Sequence, residues 1–497
     1  MFKTTIKVVL ALTLAFIGYL FYQAGASENF VPETIDGAAQ TVVKPSAGDV
    51  LTIAFGSCNR QNLPQDYWST ISAHQPDAWL WLGDNIYSDT DDMDKMAADY
   101  QTQKSNPAYA RFAAEVPHIY GVWDDHDYGI NDGGKEWPHQ AAAKVEMLKF
   151  LDVPAEAPVR ERAGAYQAYS VQNDDIAVRV ILLDTRSFRD ALAPPTQKGH
   201  RYGQNPTGSV LGAAQAGWLK EQLAAASTHD FCLIGTSIQA LPEEHGYEKW
   251  ANFPQARQEL LDMLASVTSP NVLLLSGDRH LAEISKVTHK GQDIYEVTAS
   301  GLTHSYEAAD EPNRYRVSPL IGVRNYGLLH FQRNAEGVRL LAEVRGIEDD
   351  AVLADLALGQ RGVQVNKAEL TGLIHQNIIV KEQLKPCPDK PNCVSTQATQ
   401  PDKIREPIPY TGSLADAMEK MKRTIAGMSR TKLISAEDNY LHYTFKTFPI
   451  PFIDDVEFLF DDQAKVIHYR SASRVGHSDL GVNSKRMKKV VKAFNEQ

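Results

Sequence analysis

This chain lacks an excess of positive charge: its 497 residues include 50 Lys and Arg against 62 Asp and Glu, a formal net charge of -12. That balance argues against a nucleic-acid-binding surface, because binding to a phosphate backbone depends on clustered cations. It does not exclude an anionic small molecule as substrate, since bound metal ions can reverse the electric field inside a site. Internal repeats and low-complexity tracts are also absent from the sequence.

Cysteine is scarce as well, with four residues in the whole chain. Cys387 and Cys393 could close a short loop, and a disulfide is favoured over a metal clip because no second His or Cys pair nearby completes a zinc site. Cys232 lies in the apolar run Phe231–Ile234 and is predicted to be a buried, inert thiol. The remaining cysteine, Cys58, is considered below.

Long apolar runs are missing except near the N-terminus, where Val8–Tyr22 follows Lys3 and Lys7. At about 15 residues this run falls short of the roughly 20 that a membrane-spanning helix needs. Basic residues, an apolar stretch and a small-residue site ending at Ala26 predict a signal peptide over residues 1–26, cleaved after Ala26, and hence a periplasmic or secreted protein. The alternative is an uncleaved membrane anchor that holds the protein on the periplasmic side.

The length predicts at least two domains. Strand-like runs alternate with helical patterns over residues 49–358, which predicts an α/β domain with mixed sheets. Residues 359–385 are interpreted as a connector, and residues 386–497 as a small α+β domain. The predicted strands of the first domain are Leu51–Phe55, Ala78–Leu82, Ile119–Trp123, Val178–Leu183, Phe231–Ile234, Val272–Leu275, Ile294–Thr298, Tyr326–Gln332 and Val338–Val344, and its predicted helices are Gln140–Phe150, Gly212–Ala225 and Gln255–Ser266.

Four predicted strands end directly in clusters of side chains that can bind metals. These clusters are Gly56–Cys58, Gly83–Tyr87, Asp124–Asp127 and Gly277–His280. Ligands of α/β sheets bind outside the carboxyl ends of the strands, so the four clusters can meet in one crevice. The thiol, phenol, carboxylates and imidazoles that they carry predict a binuclear metal site, of the kind that hydrolyses phosphate esters.

Two of these side chains favour iron as one of the metals. A phenol with a pKa of about 10 binds as phenolate, which at neutral pH requires a strongly Lewis-acidic cation, so Tyr87 favours ferric iron over zinc. The Cys58 thiolate is compatible with iron. Taken alone, Tyr87 is explained as well by a packed turn, and Cys58 by a buried thiol or a disulfide with Cys232.

The acidic cluster Asp124–Asp127 places three carboxylates around one imidazole, and these would repel each other without a cation. The acidic run Asp91–Asp94 differs because no buried strand precedes it, and it is interpreted as a solvated turn. Asp278 and His280 flank Arg279 and can reach the same metals. For His280 the alternative is a satisfied core histidine.

The same four clusters resemble the alkaline phosphatase D (PhoD-like) family of metallophosphoesterases, whose boxes read Gly-Ser-Cys, G-D-x-x-Y, W-D-D-H-[DE] and G-D-x-H. The stretches Leu183–Asp190 and Ser300–Ser305 match as well, and the resemblance covers about residues 51–358. It implies a calcineurin-like αββα sandwich that holds ferric iron and calcium. The V-x-x-H box of the wider superfamily has no counterpart here, because Gly235-Thr236-Ser237-Ile238-Gln239 stands in its place. Fewer imidazoles favour a hard cation such as calcium at the second position.

Carried over residue by residue, the resemblance implies a set of six metal ligands. Iron would be bound by Cys58, Tyr87 and His280, calcium by Asp125 and Asp278, and both by Asp84. The implied reaction is hydrolysis of phosphate monoesters, diesters or both by a metal-activated hydroxide.

Three further residues are predicted to act on the substrate. His126 faces it and stabilises or protonates the leaving oxygen. Arg60 and Arg279 neutralise phosphate oxygens, with a surface ion pair as the alternative for Arg279. The expected partner is a small-molecule, lipid or polymer phosphate ester. The alternatives are a phospholipase-D-like phosphodiesterase acting on envelope diesters, and a non-catalytic envelope binding protein.

The C-terminal unit resembles a bacterial domain family of unknown function, through segments such as Cys387–Ser395. No activity follows from that resemblance. Its Arg470, Arg474 and Arg486, with Asn483 as a helix N-cap, are predicted either to hold an anion or to form a structural polar turn.

Overall fold

The computed structural model describes residues 50–267 and 271–359, and then 384, 386–388, 390–437, 439–447, 452–462, 464–474, 479 and 481–496. The predicted signal peptide and nearly all of the predicted connector lie outside these residues. Among the helices that the structure describes, none has the length and apolar character needed to cross a bilayer.

The first domain contains two six-stranded mixed sheets. Sheet one has the order β12-β11-β10-β1-β2-β3, in which β1, β2 and β3 are parallel and β10, β11 and β12 are added antiparallel. Sheet two has the order β4-β5-β6-β7-β9-β8, with a parallel centre from β5 to β9. The strands are β1 Val50–Gly56, β2 Ala78–Leu82, β3 His118–Val122, β4 Gln167–Gln172, β5 Ala177–Leu182, β6 Phe231–Thr236, β7 Asn271–Ser276, β8 Ala282–His289, β9 Gln292–Ala299, β10 Asn325–Asn334, β11 Gly337–Gly346 and β12 Val352–Leu358.

Helices cover the outer face of each sheet. They are α1 Trp68–Ser72, α2 Met93–Lys104, α3 Pro107–Glu115, α4 Asp125–Tyr128, α5 Gln140–Phe150, α6 Gly212–Ala225 and α7 Pro254–Ser266. Against sheet one, Trp68 of α1 packs on Trp79 and Trp81 of β2 with ring centres 5.0 and 5.4 Å apart. Between the sheets, Phe231 and Phe331 are in ring contact at 5.2 Å. Leucines of α6 and α7 pack on sheet two, which completes an αββα order.

Each strand and helix predicted for the first domain is present to within two residues at either end. The strands β4, β8 and β12 and the helices α1, α2, α3 and α4 were not predicted. The acidic run interpreted as a solvated turn is instead the start of α2, where exposed Asp92 accepts hydrogen bonds from the amides of Asp94 and Lys95. Carboxylates at a helix N-terminus satisfy its free amides and complement its dipole.

The C-terminal domain is a six-stranded antiparallel sheet covered by two helices. Its elements are β13 Cys393–Ser395, β14 Ile408–Pro409, β15 Thr431–Glu437, β16 Tyr440–Lys446, β17 Ile453–Asp461, β18 Val466–Ser473, α8 Leu414–Ala426 and α9 Val482–Asn495. Cys387 and Cys393 form a disulfide, whereas Cys58 and Cys232 are buried and free. The disulfide between Cys58 and Cys232 considered above is therefore wrong.

The arginines of this domain are neutralised by its own carboxylates. Arg470 pairs with Glu457, Arg474 with Asp455, and Arg486 with Asp454. The N-cap of α9 is Gly481 rather than Asn483, whose amide donates to the carbonyl oxygen of Asn392 and to Ser473 Oγ. These contacts favour the structural alternative over an anion site.

Candidate metal centre

The centre lies where β1, β2, β3 and β7 end, and two glycines allow those ends to approach. Gly83 has a φ of +92°, and a Cβ placed on it would lie 2.4 Å from Asp124 Cβ. A Cβ on Gly277 would lie 2.6 Å from Ser57 Oγ and 2.8 Å from the Leu82 carbonyl oxygen. Only glycine fits at such contacts, so both positions bring the ends of the two sheets together at one edge.

Four residues that follow these strands have left-handed backbone conformations although none is glycine. Their φ angles are 60° at Cys58, 50° at Asp84, 67° at Asp278 and 53° at His280. This conformation costs an L-residue roughly 1–2 kcal/mol. Such strain concentrates at functional sites, where the surrounding structure holds side chains in a required direction.

Metal-binding side chains form three overlapping groups at this edge. Within each group one ligand atom per residue lies within 4.8 Å of the others. The groups are Cys58, Asp84 and His280; Asp84, Asp125 and His126; and Asp124, Asp125 and Asp278. Because Asp84 and Asp125 each belong to two groups, the three groups form one continuous candidate metal centre.

Tyr87 completes the first group. Its hydroxyl donates to Asp84 Oδ2 at 3.1 Å and lies 2.8 Å from His280 Nε2. Cys58 Sγ lies 3.4 Å from the same Asp84 oxygen. The structure thus brings all six predicted ligands together, with the thiol, phenol and imidazole on one side of Asp84 and the carboxylates of Asp125 and Asp278 on the other.

The pKa values of the candidate ligands indicate that these side chains fit a site for cations. Burial raises the pKa of the Cys58 thiol to about 11, and it raises the pKa values of Tyr87, Asp84 and Asp278 well above their usual ranges. Asp124 is raised to a pKa of about 7 for the same reason. These groups can be anionic together only beside positive charge, which metal ions would provide.

His126 lies at the edge of the centre and is partly exposed. Its Nδ1 is 2.8 Å from Asp89 Oδ1, and its ring lies 4.1 Å from the ring of Tyr87. Burial lowers its pKa, but the carboxylates of Asp84, Asp89 and Asp125 outweigh that effect and raise the pKa to about 10. The imidazole is therefore held in a fixed orientation with Nε2 directed away from Asp89.

The two predicted arginines differ in their surroundings. Arg60 is exposed and stacks 4.4 Å from the ring centre of Tyr87. Arg279 is 2% exposed, lies 4.0 Å from Asp278 Oδ2, and donates twice to Glu311 at 2.5 and 2.7 Å. The ion pair considered for Arg279 is therefore present, but it is buried rather than on the surface.

Residue-level reasoning gave no role to His304, which also borders the centre. Its ring lies 4.2 Å from that of His280 and 5.2 Å from that of Tyr87, and its Nε2 is buried without a hydrogen-bond partner. The match of the stretch Ser300–Ser305 to the family was the available signal. Ser300 of the same stretch contacts Cys58 Sγ at 3.1 Å and accepts from the His280 amide.

Behind the ligands lies a buried ion-pair network. The fully buried Arg186 bridges Asp124 and Glu248, and Arg189 contacts the second oxygen of Glu248 at 2.9 Å. Because Asp124 adjoins Asp125, this network fixes the position of the carboxylate end of the centre. In the segment that replaces the V-x-x-H box, Gln239 donates to Glu283 and Thr298.

Both domains match known protein families. Residues 53–336 match the family described as PhoD-like phosphatase, and residues 383–494 match the family described as a protein of unknown function, DUF1499. Alkaline phosphatase D of Bacillus subtilis (strain 168) is 24% identical over 307 residues, which are 50% of this chain and 49% of that protein. The chain thus spans about half the length of this curated relative.

The solved structure described as "Structure of PhoD" superposes with a TM-score of 0.51 and 18% identity. The superposed residues cover 65% of this chain and 72% of the chain of that solved structure. This likeness concerns the fold, and it confirms the predicted calcineurin-like arrangement of mixed sheets and helices.

Proposed function

The chain belongs to the PhoD-like phosphatase family, and we propose that its first domain hydrolyses phosphate monoesters, diesters or both at the centre formed by β1, β2, β3 and β7. Family membership supports the predicted enzyme class, a phosphoester hydrolase. The observation that carries the proposal is the position of Asp84, which is shared between a group with thiol and imidazole and a group of carboxylate and imidazole.

The residues suggest which metals the centre takes. Cys58, Tyr87 and His280 would hold ferric iron, because a phenol with a pKa raised by burial loses its proton only beside a strong Lewis acid. Asp125 and Asp278 would hold calcium, which prefers oxygen ligands, and Asp84 would contact both. When bound, two such ions polarise phosphate oxygens and lower the pKa of water toward about 7.

The chain's own side chains supply the remaining chemistry. The Nδ1–H of His126 donates to Asp89, and the raised pKa of about 10 favours the imidazolium form, so Nε2 carries the second proton and can deliver it to the leaving oxygen. The described residues provide no carboxylate partner for the guanidinium of Arg60, which is therefore free to bind a phosphate oxygen beside Tyr87. We further propose that the protein is exported through its N-terminal segment and acts in the periplasm or outside the cell.

The direct test is Asp84→Asn in the full chain. Turnover of 4-nitrophenyl phosphate and bis(4-nitrophenyl) phosphate should fall by more than roughly 100-fold, the upper range for changes that only affect groups behind a metal site. Metal content measured by elemental analysis should fall with it. Asp94→Asn, the same change on the exposed start of α2, is the matched control and should behave as wild type. Retained turnover in Asp84→Asn would contradict the proposal.

A further inference from the structure

A second set of buried polar side chains borders the metal centre and surrounds Tyr247. The guanidinium of Arg279 stacks 4.3 Å from the ring centre of Tyr247. Lys249 Nζ donates to the Tyr247 carbonyl oxygen at 3.0 Å, and the His245 ring centre is 6.4 Å from that of Tyr247. These four residues are named the Tyr247 cluster, and it adjoins the centre because Arg279 follows the ligand Asp278.

Several polar atoms of the Tyr247 cluster have no partner. His245 is 3% exposed, and neither of its ring nitrogens makes a hydrogen bond; Arg279 Nε is buried and also without a partner. A buried polar group left unpaired costs about 1–3 kcal/mol. Native structures rarely tolerate several such groups side by side unless water or a ligand satisfies them.

One cation of the Tyr247 cluster has no carboxylate as a hydrogen-bond partner among the described residues. Lys249 and Arg279 are both buried, and burial together with Arg279 lowers the pKa of Lys249 to about 8. Arg279 is paired with Glu311, and Glu248 is held by Arg186 and Arg189.

Neither of these carboxylates hydrogen-bonds to Lys249 among the described residues, although both lie close enough to affect its charge. Burial, together with the charges of Arg279, Lys249 and His200, lowers the pKa of His245 well below its usual value. An anion in the Tyr247 cluster would accept hydrogen bonds from the free donors and pair with Lys249.

We propose that the Tyr247 cluster is a subsite for a second phosphate group, carried by the substrate a few bonds away from the phosphate ester that is cleaved. Two cations with additional N–H donors match a divalent oxyanion. The rings of Tyr247 and Tyr306 are 37% and 46% exposed, and Tyr306 lies 4.8 Å from the His280 ring. One ring belongs to the Tyr247 cluster and the other contacts a residue of the metal centre, so the two exposed rings can cover an apolar spacer between the two phosphate groups. This inference rests on the proposed phosphoesterase function.

The test compares esters that differ only in the second phosphate. Propyl phosphate, propane-1,3-diyl bisphosphate and hexane-1,6-diyl bisphosphate are given to the full-length protein, and release of inorganic phosphate yields kcat/KM for each. For at least one bisphosphate, kcat/KM should exceed that of propyl phosphate by about tenfold or more, mainly because KM is lower. A tenfold ratio corresponds to about 1.4 kcal/mol.

In Lys249→Met and His245→Gln that preference should fall toward one, while Lys249→Arg should keep most of it. Lys290→Met is the control, because Lys290 pairs with Asp262 on the outer helix α7. Thermal unfolding of each variant shows whether it folds. If either Lys249→Met or His245→Gln does not fold, the result for the other of the two decides.

Three outcomes overturn the inference in distinguishable ways. If wild type hydrolyses the monophosphate and both bisphosphates equally well, the subsite is absent. If the preference exists but persists in folded Lys249→Met and His245→Gln, the second phosphate binds elsewhere. If wild type hydrolyses none of these esters, the subsite is overturned, and if it also leaves 4-nitrophenyl phosphate and bis(4-nitrophenyl) phosphate intact, the proposed function is wrong as well.

Discussion

The residues of the metal centre with left-handed backbone conformations point their donor atoms in directions that a continued strand would not give. Cys58, Asp84 and Asp278 lie two residues beyond a strand end and His280 lies four, where a continued extended backbone would alternate side chains between the two faces of a sheet. A positive φ interrupts that alternation, so consecutive strand ends can direct their donors into the same space. The conformational cost is met by the packed sheets on which these residues stand.

Tyr87 provides the sharpest prediction at the scale of a single residue. If its phenol binds ferric iron as phenolate, charge transfer from phenolate to iron gives the purified protein a visible absorption band. Tyr87→Phe removes only the hydroxyl, whose contacts are with Asp84 and His280, and should abolish the band while iron content largely persists. Tyr109→Phe, which removes a buried hydroxyl outside the centre, is the control. A band that survives in Tyr87→Phe, or zinc as the sole metal, would contradict the iron assignment.

Single residues of the site could be predicted from the sequence where a metal-binding type of side chain follows an apolar strand. Cys58, Asp84 and Asp278 could be predicted to converge because each ends a strongly apolar run in a parallel region. His304 and Asp89 could not, because both stand on loops whose paths depend on tertiary contacts rather than on a local pattern. The partner of Arg279, Glu311, also comes from a loop.

At the scale of elements, the buried network of Arg186 joins the segment after β5 to the segment after β3. Both partners, Asp124 and Glu248, are inaccessible to solvent. Arg186→Met would leave the buried carboxylate of Asp124 without its cation and Glu248 paired with Arg189 alone, and breaking a buried pair typically costs about 3–5 kcal/mol. Urea denaturation should show that loss. Arg324→Met, which removes the partner of the exposed Glu348, should cost about 1 kcal/mol or less. Equal losses in the two variants would mean that the buried network contributes little.

The elements predicted from sequence were those with uniform patterns. Parallel strands buried on both faces read as continuous apolar runs, as β2 and β7 do. The helix α2 was missed because its first turn is acidic and its apolar residues do not form a clear stripe, so its capping residue Asp92 resembled a solvated turn. Strand β4 has half-buried positions and a polar end. Its place in the sheet therefore depends on pairing with β5 more than on the strand preference of its own residues.

At the scale of the whole molecule, the two domains have separate cores. The phosphatase domain is built around the two sheets, whereas the C-terminal domain has its own cluster, which includes Met421, Phe458 and Phe494. The disulfide belongs to the second domain, where Cys393 begins β13 and Cys387 and Cys393 pack against Ala472 of β18. Separate cores imply that a change in one domain need not alter the other.

Replacing Cys387 and Cys393 together by Ser tests that independence. The disulfide closes a short loop, so its loss should reduce the free energy of unfolding of the C-terminal domain by about 2 kcal/mol. Hydrogen exchange of the amides in β13 and β18, which pair through Cys393 and Ala472, reports this domain alone and should accelerate. Adding a thiol reductant to the wild type should reproduce the effect. Because the metal centre lies in the other core, kcat/KM for 4-nitrophenyl phosphate should stay at the wild-type value. A parallel fall in turnover would instead mean that the C-terminal domain supports the phosphatase site directly.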